Sequence, residues 1–403
     1  MYPTLYHAFF DLFGWDIPGL KLVNSFGFFV AMAFVVAAAL LRREMNRLQA
    51  AGIFEGVVLK TMVGKRPTAA ELGGQALMGF IFGWKFLYLM IHAGDLFAGG
   101  RSPQSHLFSG EGSLGLGLLI AGLFAGWRWY AGRRDALDVP VEKSIKLPAS
   151  EHVGAIVTAA AIGGLSGAKL FHLLEYPDEF RAFWAEPSLN AFLGGLTIYG
   201  GLIVGGLAVY VVARRRGLPF ASLADATAPG LMLAYGIGRI GCQVSGDGDW
   251  GIPNANPKPG WLGWLPDWMW SYAYPNNVNG VYGPKPAGYT GKLITEGDPW
   301  PIFEGYGTYL DPAVYPTAFY ETVMATIIFV GLWSVRKRLP APGALFALYL
   351  IANGVERFLI EKIRVNAELD AMGLQFTQAE LISTLTFLSG VGLWFGIKKS
   401  KRG

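Results

Sequence analysis

Gly236-Ile-Gly-Arg-Ile-Gly-Cys-Gln-Val-Ser-Gly246 is the stretch on which the reading of this chain turns. It places Arg239 near the end of an otherwise apolar segment that begins around Ala221. A charge within a membrane-spanning helix costs about 2.5–3.5 kcal/mol on insertion scales, so it is rarely kept without a task. Gly236, Gly238 and Gly241 also satisfy the G-x-G-x-x-G pattern of dinucleotide-binding loops. That pattern needs a preceding strand and a helix that opens after the glycines. A full apolar span precedes them here, and the dinucleotide reading is excluded.

The rest of the chain has the same character. Of its 403 residues 52% are hydrophobic and 15% charged, and the mean hydropathy is +0.36. We therefore expect an all-α polytopic integral membrane protein with about nine transmembrane helices. Each needs about 20 apolar residues; the candidates are 20–41, 71–95, 113–131, 152–175, 194–213, 221–243, 316–334, 342–364 and 378–397. The 55 glycines suit close approach of helices in lipid, with Gly201-x-x-x-Gly205 as a local instance. A single cysteine, Cys242, excludes an intramolecular disulfide framework and a cysteine-based zinc site. No Lys or Arg precedes Lys21, so the start lacks the basic region of a cleaved signal peptide. It is expected to be retained, with residues 2–15 lying at the interface as an aromatic amphipathic segment.

Basic residues set the orientation. The segments 42–70, 128–150, 214–216, 336–338 and 398–402 hold 21 of the 33 Lys and Arg, and the alternate segments hold five. By the positive-inside rule this puts the N-terminus outside and the C-terminus in the cytoplasm. Arg214–Arg216 and Arg336–Arg338 are then topology determinants rather than nucleic-acid contacts. Lys169, Arg239, Arg357 and Arg364 fall in the outward halves of their spans, and Tyr199, Tyr320 and Glu321 near the outer starts of others. Arg357, Glu361 and Arg364 are spaced i, i+4, i+7 and share one helix face. Several helices thus bring polar groups to one level, near the outer headgroups. Residues 244–315 form the longest non-spanning segment and read as an irregular outer cap, with Trp250, Trp261, Trp264, Trp268 and Trp270 as interface anchors. Asp247 and Asp249 do not continue into the ligand spacing of a calcium loop and read as a polar turn.

Taken together, these blocks resemble the prolipoprotein diacylglyceryl transferases of bacterial inner membranes. The resemblance begins near Gly163 and runs to the C-terminus. It rests on Gly194-Gly-Leu-Thr-Ile-Tyr-Gly-Gly-Leu-Ile203, Ala224-Asp-Ala-Thr-Ala-Pro-Gly230 and the signature Gly238-Arg-Ile-Gly-Cys-Gln-Val-Ser-Gly246. Further on it includes Tyr315-Pro-Thr-Ala-Phe-Tyr-Glu321, Asn353-Gly-Val-Glu-Arg-Phe-Leu-Ile-Glu361 and Arg364. The order and spacing of the blocks carry it more than any one of them. The chain departs from the family pattern at Tyr199 and Tyr315, where the family usually has histidine, and at Cys242, where it usually has asparagine. Against a typical seven spans, residues 71–131 read as an extra pair. The expected organisation is residues 1–70 as interfacial segment and first span, 71–131 as the added pair, and 132–403 as the transferase-like core with its cap.

The resemblance implies transfer of the diacylglyceryl group of phosphatidylglycerol to the lipobox cysteine of a secreted prolipoprotein, with release of glycerol phosphate. Its implied partners are that lipid, lipobox signal peptides and membrane lipids, with no nucleic acid, metal or organic cofactor. Arg239 and Arg357 are implied as phosphate ligands; the alternative is an ion pair of either with Glu321 or Glu361 that only holds helices together. Glu361 would orient Arg357. Tyr199 would donate a hydrogen bond in the place of the family's histidine, or pack as an aromatic ring. Lys169, Gly246, Tyr320 and Glu321 complete the implied lipid-binding set. Arg364 reads as an interfacial anchor or a site residue, His172 as a structural histidine or a substitute base, and Cys242 as a buried structural thiol. Two rival readings are a noncatalytic paralogue that binds anionic lipid or signal peptides, and a transporter. A transporter is expected to place its polar site near the midplane and between repeats.

Overall fold

The computed structural model describes residues 1–94, 106, 109–178, 181, 195, 197–279, 290–339, 341–366, 368–371 and 374–400. Much of the expected outer loops 96–112 and 176–193, and Gly194 and Leu196 of the quoted blocks, lie outside the described residues. Ten helices follow in chain order among the described residues. They are α1 (Leu5–Phe13), α2 (Ser25–Ala50), α3 (Ala69–Ile91, with a π-helical turn over Phe82–Leu87), α4 (Leu114–Arg134), α5 (His152–Glu175), α6 (Ile198–Arg215), α7 (Phe220–Ser245), α8 (Thr317–Val335), α9 (Ala344–Glu361) and α10 (Gln378–Ser400). The protein is an all-α polytopic membrane protein.

All nine expected spans are helical. Seven of them, α2 to α6, α8 and α10, are long and apolar enough to cross a membrane by length and composition. The other two fall short for a chemical reason. Asp225, Pro229, Arg239 and Gln243 lower the apolarity of α7, and Glu356, Arg357 and Glu361 put three charged residues into the 18 of α9. Such helices are tolerated where their polar groups find partners inside the bundle, and that is where these two lie. Helix α7 packs against α2, α8 and α9, and α9 in turn against α10. Asp225 of α7 accepts the backbone N–H groups of Gly343 (2.7 Å) and Phe346 (2.8 Å), and so caps the first turn of α9.

Small residues bring α5 and α6 together. A Cβ on Gly200 would lie 2.3 Å from the carbonyl oxygen of Gly167, so only glycine permits this approach. At the basic ends of the helices, the buried carboxylate of Glu44 on α2 meets Arg47 (2.7 Å) and Arg336 (3.0 Å), the latter at the end of α8.

Helices α3 and α4 pack on each other and are framed by an antiparallel ribbon, β1 (Val57–Val63) paired with β2 (Val141–Leu147). The chain leaves α2 and returns to α5 at almost the same point, where the Ala149 N–H donates to Gln49 Oε1 (2.7 Å). Two further two-stranded pairs lie at the opposite end: β3 (Thr290–Leu293) with β4 (Thr308–Asp311), and β5 (Glu368–Ala371) with β6 (Leu374–Thr377).

The cap after α7 has a core of its own, made of Trp250, Tyr274, Leu310 and Val314. Trp250 was expected as an interface anchor. It is instead buried, with its ring 5.2 Å from that of Tyr274, because the cap is large enough to enclose an aromatic centre. Trp261 and Trp264 are exposed, as anchors require.

Candidate active site

The ends of α7, α8 and α9 meet beneath the cap and present a cluster of ionic groups. Its centre is Glu321, in the first turns of α8, which is 0% exposed. Arg239 of α7 reaches it through Nε (3.2 Å), Arg357 of α9 through Nη1 (3.3 Å), and Arg364, just past α9, through Nη1 (3.4 Å). The hydroxyl of Tyr235, one turn before Arg239, donates to Glu321 Oε1 (2.8 Å). Burying one carboxylate among three guanidinium groups satisfies a charge that would otherwise be prohibitive in this setting.

Two more carboxylates complete the cluster. Glu361 is ion-paired with Arg357 Nη2 (2.8 Å), one helical turn away, and its Oε1 accepts from Asn366 (2.6 Å) and Thr377 (2.7 Å). Asp249, in the loop after α7, is bound by Arg239 on one oxygen and Arg364 on the other. Burial opposes the charge on Asp249, but these two guanidinium groups hold its carboxyl well below the usual carboxylate range. Asp247 behaves oppositely: burial, then the charge on Asp249, push its carboxyl up. The ligand atoms of Cys242, Asp247 and Asp249 lie within 4.8 Å of one another. Both Asp249 oxygens are already engaged by arginine, so the Asp247 carboxylate and the Cys242 thiol are what this trio would offer a cation.

The family model for prolipoprotein diacylglyceryl transferase matches residues 114–396, more than half of the chain. The chain belongs to that family. Among similar proteins, the phosphatidylglycerol–prolipoprotein diacylglyceryl transferase of Corynebacterium diphtheriae is 28% identical over 247 residues, 60% of this chain and 76% of that protein. The enzyme of the same name from Corynebacterium glutamicum is 29% identical over 254 residues, covering 61% and 71% respectively. That of Mycobacteroides abscessus is 29% identical over 237 residues, covering 57% and 60%. The match to the transferase family begins at the first residue of α4, ahead of Gly163, where the resemblance was expected to start.

Within this family member the structure brings Arg239, Glu321, Arg357, Glu361 and Arg364 into one cluster. Tyr199, half-buried in the first turn of α6, lies within electrostatic range of Arg357, Glu361 and Arg364. Lys169 and His172 are buried on α5. The end of that helix is joined to the start of α6 where the Thr197 N–H donates to the Ala168 carbonyl (3.0 Å), and the ring of His172 abuts the backbone of Gly195. Gly246 ends α7 in a left-handed conformation against Asn277, where a Cβ would come within 2.7 Å of the asparagine side chain. Tyr320 donates to the carbonyl of Met269 (2.8 Å), and its ring lines an apolar groove of about 470 Å³ with Leu262, Leu265, Phe319 and Val323.

Sequence reasoning missed three groups. Asp249 reads as a turn residue in the sequence, and nothing there singles out Tyr235 or Glu356. Glu356 is buried; one oxygen lies 3.4 Å from the Tyr235 hydroxyl, and the other has no hydrogen-bond partner among the described residues. Only its position in an apolar helix, five residues before Glu361, could have drawn attention to it.

Proposed function

We propose that this chain transfers the diacylglyceryl group of phosphatidylglycerol to the cysteine thiol of a prolipoprotein. The supporting observation is the convergence of Arg239, Arg357 and Arg364 on Glu321 at one end of three helices, in a member of this transferase family. In the reaction the thiol loses its proton and its sulfur attacks the glyceryl carbon. The bond from that carbon to the phosphate oxygen breaks, and glycerol phosphate leaves. The developing charge on the departing phosphate is what guanidinium groups stabilise, through paired N–H donors fixed in advance. Arg239 and Arg357 are assigned to this task, with Glu361 aligning Arg357. The Tyr199 hydroxyl donates to the headgroup or leaving oxygen, and Lys169, Gly246, Tyr320 and Glu321 shape the lipid site.

The placement of charge supports an orientation in the bacterial inner membrane with the site outside. Arg47, Arg214, Arg215 and Arg336 gather at the ends of helices opposite the cluster, as basic residues do on the cytoplasmic side. The lipobox of a signal peptide and the phosphatidylglycerol headgroup would then meet at the level of Glu321.

The experiment mixes purified protein, phosphatidylglycerol and a synthetic lipobox peptide, with a Cys→Ser peptide as control. Release of glycerol phosphate that depends on the thiol is the expected result. Retention of lipid or peptide with no release would point to the noncatalytic paralogue, with Tyr199 in the histidine's place as its reason.

A further inference from the structure

Three guanidinium groups and three carboxylates pair in the cluster: Arg239, Arg357 and Arg364 with Glu321, Glu361 and Asp249. So balanced, the site has no net positive charge with which to attract a phosphate anion. One of the carboxylates has to give way, and their surroundings differ. The side chains of Glu321 and Glu361 are 0% exposed and belong to α8 and α9, and Glu361 is further held by Asn366 and Thr377. The side chain of Asp249 is 32% exposed and comes from a loop. Its carboxylate is held by the two arginines and the thiol of Cys242 (3.5 Å), with the Asp247 carboxylate within 4.8 Å.

The backbone beneath Asp249 is fixed. Thr317 donates to its carbonyl (2.8 Å), the Gly251 N–H to Tyr315 (2.9 Å) and the Ile252 N–H to Ile363 (2.9 Å). Vacating the arginines therefore needs a turn of one short side chain and no movement of the loop. A waiting donor is present as well. Arg364 Nε is buried and has no hydrogen-bond partner among the described residues, the kind of orphan that a ligand oxygen relieves.

We propose that Asp249 is a built-in counterion, displaced from Arg239 and Arg364 by the phosphate of the incoming lipid. The exchange swaps one anion for another on the two arginines. It also makes Asp249 a specificity residue, since a headgroup without net negative charge gains nothing by displacing it. This rests on the assignment of the arginines to phosphate made above.

The test measures binding rather than transfer, so the two readings can fail separately. Detergent-purified wild-type protein, Asp249→Asn and Asp249→Glu are titrated calorimetrically with inorganic phosphate. Asp249→Asn should bind phosphate about tenfold more tightly than wild type, the scale of two part-exposed ion pairs relieved. Asp249→Glu should stay near wild type. Equal or weaker binding by Asp249→Asn would overturn the proposal even if transfer by the wild type is established. Phosphatidylglycerol in nanodiscs should show the same tightening and phosphatidylcholine none; tightening for free phosphate alone would overturn the lipid assignment. Should Asp249→Asn fail to fold, a structure of the wild type soaked in phosphate decides. An anion between Arg239 and Arg364 with Asp249 turned away supports the exchange, and Asp249 still seated on both overturns it.

Discussion

At the scale of single residues, the role proposed for the guanidinium groups sets the expected losses. Arg239→Ala and Arg357→Ala should each reduce turnover by about 10²–10³-fold, the usual effect of removing one donor from a developing anion. Quantitative blotting of the membrane fraction should show both variants inserted at normal levels. Lysine at either position should recover little, because a point charge does not reproduce the planar fork. Tyr199→Phe removes only a hydroxyl and should lower turnover about tenfold, the worth of one hydrogen bond; unchanged turnover would leave the ring a packing role. Arg239, Arg357 and Glu361 were legible in the sequence because charge in an apolar helix is costly and stands out. Asp249 was not. A carboxylate in a polar loop costs nothing in water, and only the fold shows that two arginines reach it.

At the scale of elements, two contacts invite measurement. His7 of α1 sits 4.6 Å from the ring of Phe303 and 5.6 Å from that of Tyr306, with the Thr4 hydroxyl 2.8 Å from Nδ1. Burial, reinforced by the charge of Lys21, pushes its pKa down to about 4. A base whose folded pKa lies below its unfolded value of about 6.5 binds fewer protons when packed than when free. The packing of α1 on the cap is therefore fully stable above the unfolded value and weakens as the pH falls from there towards the folded one. Tryptophan fluorescence followed over that range should report the release, and His7→Phe should flatten the curve. The second contact is the Asp225 cap. Asp225→Ala should destabilise the bundle by about 1–2 kcal/mol in thermal unfolding, as the loss of a helix cap does. The helices themselves were readable from apolar length. The ribbon of β1 and β2 was not, because charged residues such as Lys60, Lys143 and Lys146 read as an irregular loop and only the pairing reveals strands.

For the whole molecule, the question is how α3 and α4 relate to the rest. Their ribbon begins and ends beside the Gln49–Ala149 contact, and two helices return the chain to the side it left. Replacing residues 57–147 with a short Gly/Ser link should leave the orientation of both termini unchanged, since an even number of spans is removed. Accessibility of tags at each terminus in intact cells would check this, and inversion of the C-terminal tag would refute it. The interior position of α7 and α9 was partly legible, because polar residues in a span imply partners within a bundle. The cap's aromatic core was not, since a tryptophan-rich loop reads equally well as an interfacial anchor.

Cys242 gives the cluster a further consequence. Its sulfur is buried, 3.8 Å from Arg239 and 3.5 Å from Asp249. A catalyst that alkylates thiols thus keeps one of its own beside the group that would hold the alkyl donor. Self-inactivation is the hazard, and enclosure is the safeguard. The carboxylate proposed to leave the arginines is also a neighbour of this sulfur, so the turn that admits the lipid phosphate removes a group from beside the thiol.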